Sequence, residues 1–223
     1  MLSRISFFSE VSPAERETIR SHCATRKIRR REVVVRQGSL DRDMFIVVSG
    51  RLRISAVSED GKEVGFGVLE AGDTFGEMAM LDGEERSATV TAIEPCELLV
   101  LNPQEFERLI FAHPGLALNL LVILTQRLRH TTRLYQNSVF MDVPARLAQF
   151  LIQFSSPDWQ RGGVPVLGVS LSQYELGTLV NASRESVNKQ LREWEQSGII
   201  EQQGGQIHLL DVESLRSEAE QAQ

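Results

Sequence analysis

The chain of 223 residues lacks any apolar run of the ~18 to 20 residues that a bilayer span requires; its densest apolar stretch, 116–124, is far too short. Its first residues, Met1-Leu2-Ser3-Arg4-Ile5-Ser6, lack the apolar core and small-residue cleavage site of a secretion signal, so a cytoplasmic protein with no membrane partner is expected. Cysteine is scarce. Cys23 and Cys96 stand far apart without metal-ligand spacing, and in a reducing compartment they are expected as buried thiols rather than a disulfide. No P-loop, metal motif or nucleophile-base-orienter set is visible, so neither an enzyme nor a catalytic cofactor or metal is expected. Positive charge is also short: 24 Lys and Arg against 30 Asp and Glu leave a net charge of -6. That balance excludes a protein that coats nucleic acid through bulk charge, and confines any DNA contact to a local surface.

What is present has a clear order. Ser12-Pro13-Ala14-Glu15 supplies an N-cap acceptor, proline at N1 and glutamate at N3, the start of a helix over 12–22. From Arg31 to Leu101, β-prone runs (33–35, 44–48, 52–57, 64–69, 88–93 and 98–101) are separated by Gly38, Gly50, Asp60-Gly61, Ala71-Gly72-Asp73 and Asp82-Gly83. A turn signal about every 8 to 12 residues is the rhythm of an antiparallel sandwich or barrel. Asn102-Pro103-Gln104-Glu105 repeats the helix-start signature, and His113-Pro114 stops that helix.

The longest helical segment follows, about 116–138. Leu121, Leu124, Leu128, Thr131 and Tyr135 alternate by three and four residues, as along a coiled-coil seam. Leu116, Leu118, Leu120, Val122 and Ile123 supply a second apolar face, so the helix can pack on its own β-domain, on a partner helix, or on both. Asp142 then caps a further helix, 145–154, and 157–163 reads as a loop. The tail, 211–223, reads as a frayed helix. These breaks divide the chain into 1–114, 115–140 and 141–223.

Ser172-Gln173-Tyr174-Glu175 forms a capping box that opens a short helix through Val180. In Asn181-Ala182-Ser183, asparagine tolerates the left-handed backbone of a tight turn and Ser183 can cap a second helix, 184–196. Val187, Leu191 and Trp194 bury one face of it and leave Arg184, Glu185, Asn188, Lys189 and Arg192 exposed. A Gly204-Gly205 hairpin after it makes the whole a winged helix-turn-helix that can read DNA; an ordinary helical hairpin is the alternative.

The order of sandwich, seam helix and winged helix-turn-helix resembles the CRP/FNR family of bacterial transcription regulators over nearly the whole chain. The most specific pieces are Gly76-Glu77 with Arg86-Ser87-Ala88-Thr89, similar to that family's phosphate-binding cassette, and Ser183-Arg184-Glu185-Ser186-Val187, similar to its recognition-helix start. The resemblance implies an α+β fold: an N-terminal antiparallel β-sandwich of jelly-roll type that binds an effector, a long dimerisation helix, and a C-terminal winged helix-turn-helix. A cyclic nucleotide offers a phosphodiester, a ribose hydroxyl and a base. Arg86 can grip the phosphate with Ser87 and Ala88, Gly76 lets the main chain approach, and Glu77 can accept from the ribose. The resemblance carries Arg127 to a contact with Glu77, and Thr131 and Thr132 to the adenine, one from each subunit of a homodimer. Cyclic AMP is therefore the expected allosteric effector, with cyclic di-GMP as a rival because Arg51, Arg53 or Arg133 could meet a second phosphate. A palindromic TGTGA-like duplex is the expected DNA partner, and RNA polymerase a further one. Arg184 can read guanine and Glu185 cytosine, Lys189 takes a third base-reading position where arginine is usual, and Ser172 and Gln173 touch phosphates. A cyclic-nucleotide sensor acting on a protein partner is the alternative.

Overall fold

An apolar run such as Met44 to Val47 can be a strand only if both faces are buried, because successive side chains point to opposite sides. The computed structural model describes Phe7, Arg20 and residues 23–158, 163–168 and 171–220, and divides into two compact units, Met1–Thr131 and Thr132–Gln223. The helix expected from Ser12 lies outside the described residues.

In the first unit the described strands are β1 (Ala24–Ile28), β2 (Val33–Val35), β3 (Met44–Ser49), β4 (Leu52–Val57), β5 (Glu63–Leu69), β6 (Thr74–Phe75), β7 (Thr89–Ala92) and β8 (Cys96–Leu101). They form two antiparallel four-stranded sheets, ordered β1-β8-β3-β6 and β2-β7-β4-β5. Phe45, Val47 and Leu98 point between the sheets onto Ile28, Val35, Leu52 and Val90. Met44, Ile46, Leu99 and Leu101 point the other way, against two helices. Strand β3 is thus apolar throughout because a sheet lies on one face and helices on the other.

Among the described residues this part of the chain has three helical elements with known bounds: α1 (Glu77–Asp82), α2 (Pro103–Ala112) and α3 (Gly115–Phe140). The Asn102 side chain accepts from the Glu105 amide at 2.9 Å, and α2 ends at His113, as expected. Phe106 and Leu109 of α2 join Leu116, Leu120 and Ile123 of α3 on the outer face of the β3 sheet. The inward face of α3 corrects the expectation: Leu118 and Val122, assigned to it from sequence, are 65% and 55% exposed. They lie roughly 100 to 160° around the helix from Leu116, Leu120 and Ile123, given ~100° per residue.

The second unit begins its own packing with α4 (Val143–Gln153), whose N-cap Asp142 accepts from the Ala145 amide at 3.0 Å. Strands β9 (Ser155–Asp158), β10 (Val164–Leu167), β11 (Ile200–Gln203) and β12 (Gln206–Leu209) form one antiparallel sheet, ordered β11-β12-β10-β9. Between them lie α5 (Gln173–Leu179) and α6 (Arg184–Gln196), and α7 (Val212–Glu220) follows. The tail helix is packed rather than frayed, because Leu215 is fully buried and α7 rests on α4. Gly204 and Gly205, with φ of 61° and 79°, make the tight turn between β11 and β12. The fold is therefore the antiparallel sandwich, long helix and winged helix-turn-helix that the residue pattern led us to expect.

Candidate functional site

Arg86 is a charged side chain only 4% exposed, so its donors must be met inside the protein. Its Nε donates to Asp41 Oδ1 at 3.0 Å, Nη1 to the Gly76 carbonyl at 2.7 Å, and Nη2 to Asp41 and to the Asp43 carbonyl at 2.6 Å. Gly76 is required at this point. Its φ is 86°, and a Cβ there would lie 2.6 Å from Arg86 Nη1 and 2.7 Å from the Asp43 carbonyl. The turn at Gly76 in turn starts α1 with Glu77 at its first position.

Glu77 is 1% exposed. Its Oε1 accepts from Arg127 of α3, which also donates to the Thr74 carbonyl. Its Oε2 is buried and has no hydrogen-bond partner among the described residues. Gly76, Glu77, Arg86, Ser87, Ala88 and Arg127 all line one open cleft of about 420 Å³, counting the solvent at its mouth. Ser87 is exposed, and Glu84 and Glu85 face solvent. Asp82 closes α1 rather than belonging to a loop, with Gly83 as its left-handed C-cap. Thr131 and Thr132 do not form part of the cleft wall; both are exposed on α3.

The helix-turn-helix is equally local in its causes. The Ser172 hydroxyl accepts from the Glu175 amide at 3.2 Å while the Ser172 amide donates to Glu175 Oε2 at 2.7 Å, which completes the capping box. Asn181 adopts φ of 51°, and Ser183 caps α6 by accepting from the Ser186 amide at 3.0 Å. A Cβ on Gly177 would lie 2.7 Å from the Ala182 carbonyl, so the turn closes directly over α5. Val187, Leu191 and Trp194 are buried, and Arg184, Glu185, Lys189 and Arg192 are exposed. Asn188 is half-buried instead, because its side chain accepts from Gln173 Nε2 at 3.3 Å across the two helices. Lys189 approaches Glu193 to 3.8 Å on the surface, a contact worth little in water. The Glu185 carboxyl is held below its ordinary pKa by its own backbone amide and the Ser183 hydroxyl.

Residues 25–113 match the model of the cyclic nucleotide-binding domain, and residues 145–218 match that of the Crp-like helix-turn-helix domain. The chain belongs to the CRP/FNR family of transcription regulators. Among its relatives, the CRP-like cAMP-activated global transcriptional regulator of Mycobacterium tuberculosis is 29% identical over 98% of each chain. A CRP/FNR-family transcriptional regulator from Thermus thermophilus is similar in structure, with a TM-score of 0.74 and 26% identity over 90% of this chain and all of that one. The c-di-GMP responsive global regulator of Xanthomonas campestris shares the fold, with a TM-score of 0.78 and 24% identity over 89% of this chain and 99% of that one.

As a CRP/FNR regulator, the protein is a DNA-binding transcription factor with a cyclic-nucleotide-binding domain. Two of its residues carry no signal in the sequence. Asp41 sits in an ordinary-looking turn, Ser39-Leu40-Asp41-Arg42, and nothing local marks it as the carboxylate that meets Arg86. Arg146 is a second such residue, on α4. On α3 Leu124 is partly buried against the core, and the exposed positions spaced alternately by three and four are Leu118, Leu121, Thr125, Leu128, Thr132, Tyr135 and Val139. Thr132, not Thr131, stands in that row. Among the described residues no single helix is long and apolar enough to cross a membrane.

Proposed function

We propose that this regulator is a homodimer switched by cyclic AMP, and that it reads a palindromic TGTGA-like duplex. One observation carries the effector reading: the buried Glu77 Oε2, unpartnered among the described residues, in a cleft that Arg86 also lines. A buried carboxylate oxygen without a donor is costly, and a ribose hydroxyl supplies the donor it lacks. Arg86, with the Ser87 hydroxyl and the amides of Ser87 and Ala88, takes the phosphodiester. Arg127 holds Glu77 in place and ties the cleft to α3. Thr131, one turn beyond Arg127, contacts the adenine of its own subunit, and Thr132, which lies in the exposed apolar row, contacts that of the partner.

On the DNA side Arg184 contacts guanine, Glu185 cytosine and Lys189 a third base, while Ser172 and Gln173 fix the register on phosphates. Two recognition helices set about one DNA turn apart, ~34 Å, match a palindrome. RNA polymerase is a further partner for such a regulator, whether it activates or represses. Titration calorimetry of the full-length protein with cyclic AMP, cyclic GMP and cyclic di-GMP tests the effector. Micromolar binding of cyclic AMP that Arg86→Ala removes is the expected result. Preference for cyclic di-GMP reassigns the effector, and failure of all three removes it, with DNA binding untouched in either case.

A further inference from the structure

A helix leaves its last carbonyls without intrahelical donors, and a cation placed among them is favourable through both hydrogen bonds and the helix dipole. In the second unit one guanidinium serves two helix ends at once. Arg146 of α4 donates from Nε to the Val180 carbonyl at 2.8 Å, from Nη2 to the Asn181 carbonyl at 3.0 Å, and from Nη1 to the Met141 carbonyl. Val180 is the C-cap of α5, Asn181 is the left-handed residue of the interhelical turn, and Met141 follows directly on α3, its amide bonded to the Asn137 carbonyl. Three chain segments thus meet on one planar fork. Alongside it, Asn137 Nδ2 donates to Gln149 Oε1 at 2.7 Å and ties the end of α3 to α4 a second time.

Only two residues separate Asn181 from Arg184, the first residue of the recognition helix. Whatever fixes the Asn181 carbonyl therefore fixes where that helix begins. We propose that Arg146 is a positioning residue for DNA reading: it holds the turn that starts α6 against the segment leaving α3, so that a shift of that segment moves the base-reading side chains. This role requires DNA binding alone and stands whatever the effector. Lysine keeps the charge but not the fork, since an ammonium on a flexible stem cannot hold three carbonyls at fixed spacing.

The test compares the full-length wild type with Arg146→Lys and Arg146→Met, the second keeping the apolar stem without any donor. Fluorescence anisotropy measures binding to a duplex selected by the wild type from a random pool, and to a scrambled duplex at the same salt. Arg146→Lys is expected to fold, to bind the scrambled duplex within about threefold of wild type, and to lose about tenfold or more on the selected one. Hydrogen exchange should quicken at the amides of 181–187 and stay unchanged in β11 and β12. Wild-type affinity of Arg146→Lys for the selected duplex overturns the proposal. So does an equal loss on both duplexes, or unfolding of both variants, because the side chain would then be a general support of the fold.

Discussion

Two carboxylates, each paired with a cation of the cleft, have opposite expected effects. Glu77 turns one oxygen to Arg127 and leaves the other buried, without a partner among the described residues. Glu77→Gln keeps the shape but replaces a charged acceptor, and hydrogen bonds to charged groups are worth ~1.5 to 3 kcal/mol. Calorimetry should show cyclic AMP binding weakened by about 10- to 100-fold; an unchanged affinity would remove Glu77 from the ribose contact. Asp41 instead pairs with the guanidinium that we propose takes the phosphate. Burial alone would raise its carboxyl, but the hydrogen bonds from Arg86 and Ser39 and the guanidinium charge outweigh it and hold it below its ordinary value. A carboxyl whose pKa is depressed by folding contributes stability above its unfolded pKa, ~3.9, and loses that contribution as pH falls through the folded value. Wild type should therefore melt above Asp41→Asn at neutral pH, with the gap closing below about pH 4. A gap that persists in acid means that the charge of Asp41 is not what matters. The same Asp41→Asn protein should bind cyclic AMP a few-fold tighter, since no fixed anion then competes for Arg86.

Along each element, what the sequence reveals depends on how much of the pattern is local. Caps at Ser172, Ser183, Asn102 and Asp142 act within three residues, and every one is readable. Strand β1 is not, because Ala24 to Lys27 are exposed and its place is fixed only by backbone pairing to β8. The two-residue β6 and the short α1 fall below the length at which periodicity can be counted. The cleft residues on α1 and after it are expected through the resemblance to the family's cassette, whereas Asp41 comes to Arg86 through tertiary folding across 45 positions. The exposed row on α3 is only half legible, since Leu124 and Thr131 fit a three-four alternation as well as Thr125 and Thr132 do. Burial decides between them. Thr125 returns its hydroxyl to the Leu121 carbonyl at 2.8 Å, so it costs the apolar row little. Leu128 stands 69% exposed in the middle of that row. Leu128→Asp should therefore convert a dimer to a monomer at micromolar concentration in sedimentation velocity, without lowering helix content by circular dichroism. A variant that stays dimeric places the interface elsewhere.

For the whole molecule, a net charge of -6 means that affinity for DNA cannot rest on bulk attraction and must be generated by geometry. An effector can supply that geometry only through its differential affinity for DNA-competent and incompetent states. If cyclic AMP tightens DNA binding by some factor, DNA must tighten cyclic AMP binding by the same factor, because both are one coupling free energy. Such couplings are typically ~1 to 3 kcal/mol, or about 5- to 150-fold. Anisotropy with the selected duplex, with and without saturating cyclic AMP, should give one ratio, and calorimetry of cyclic AMP with and without that duplex the other. Equal ratios within this range are expected for a switch. A ratio of one in both, with cyclic AMP still bound in the cleft, would mean that the site and the recognition helices are not coupled. Since Arg127 joins the cleft to α3 and Arg146 joins the chain after α3 to the recognition turn, Arg146→Lys should lower both ratios together while leaving cyclic AMP affinity in the absence of DNA unchanged.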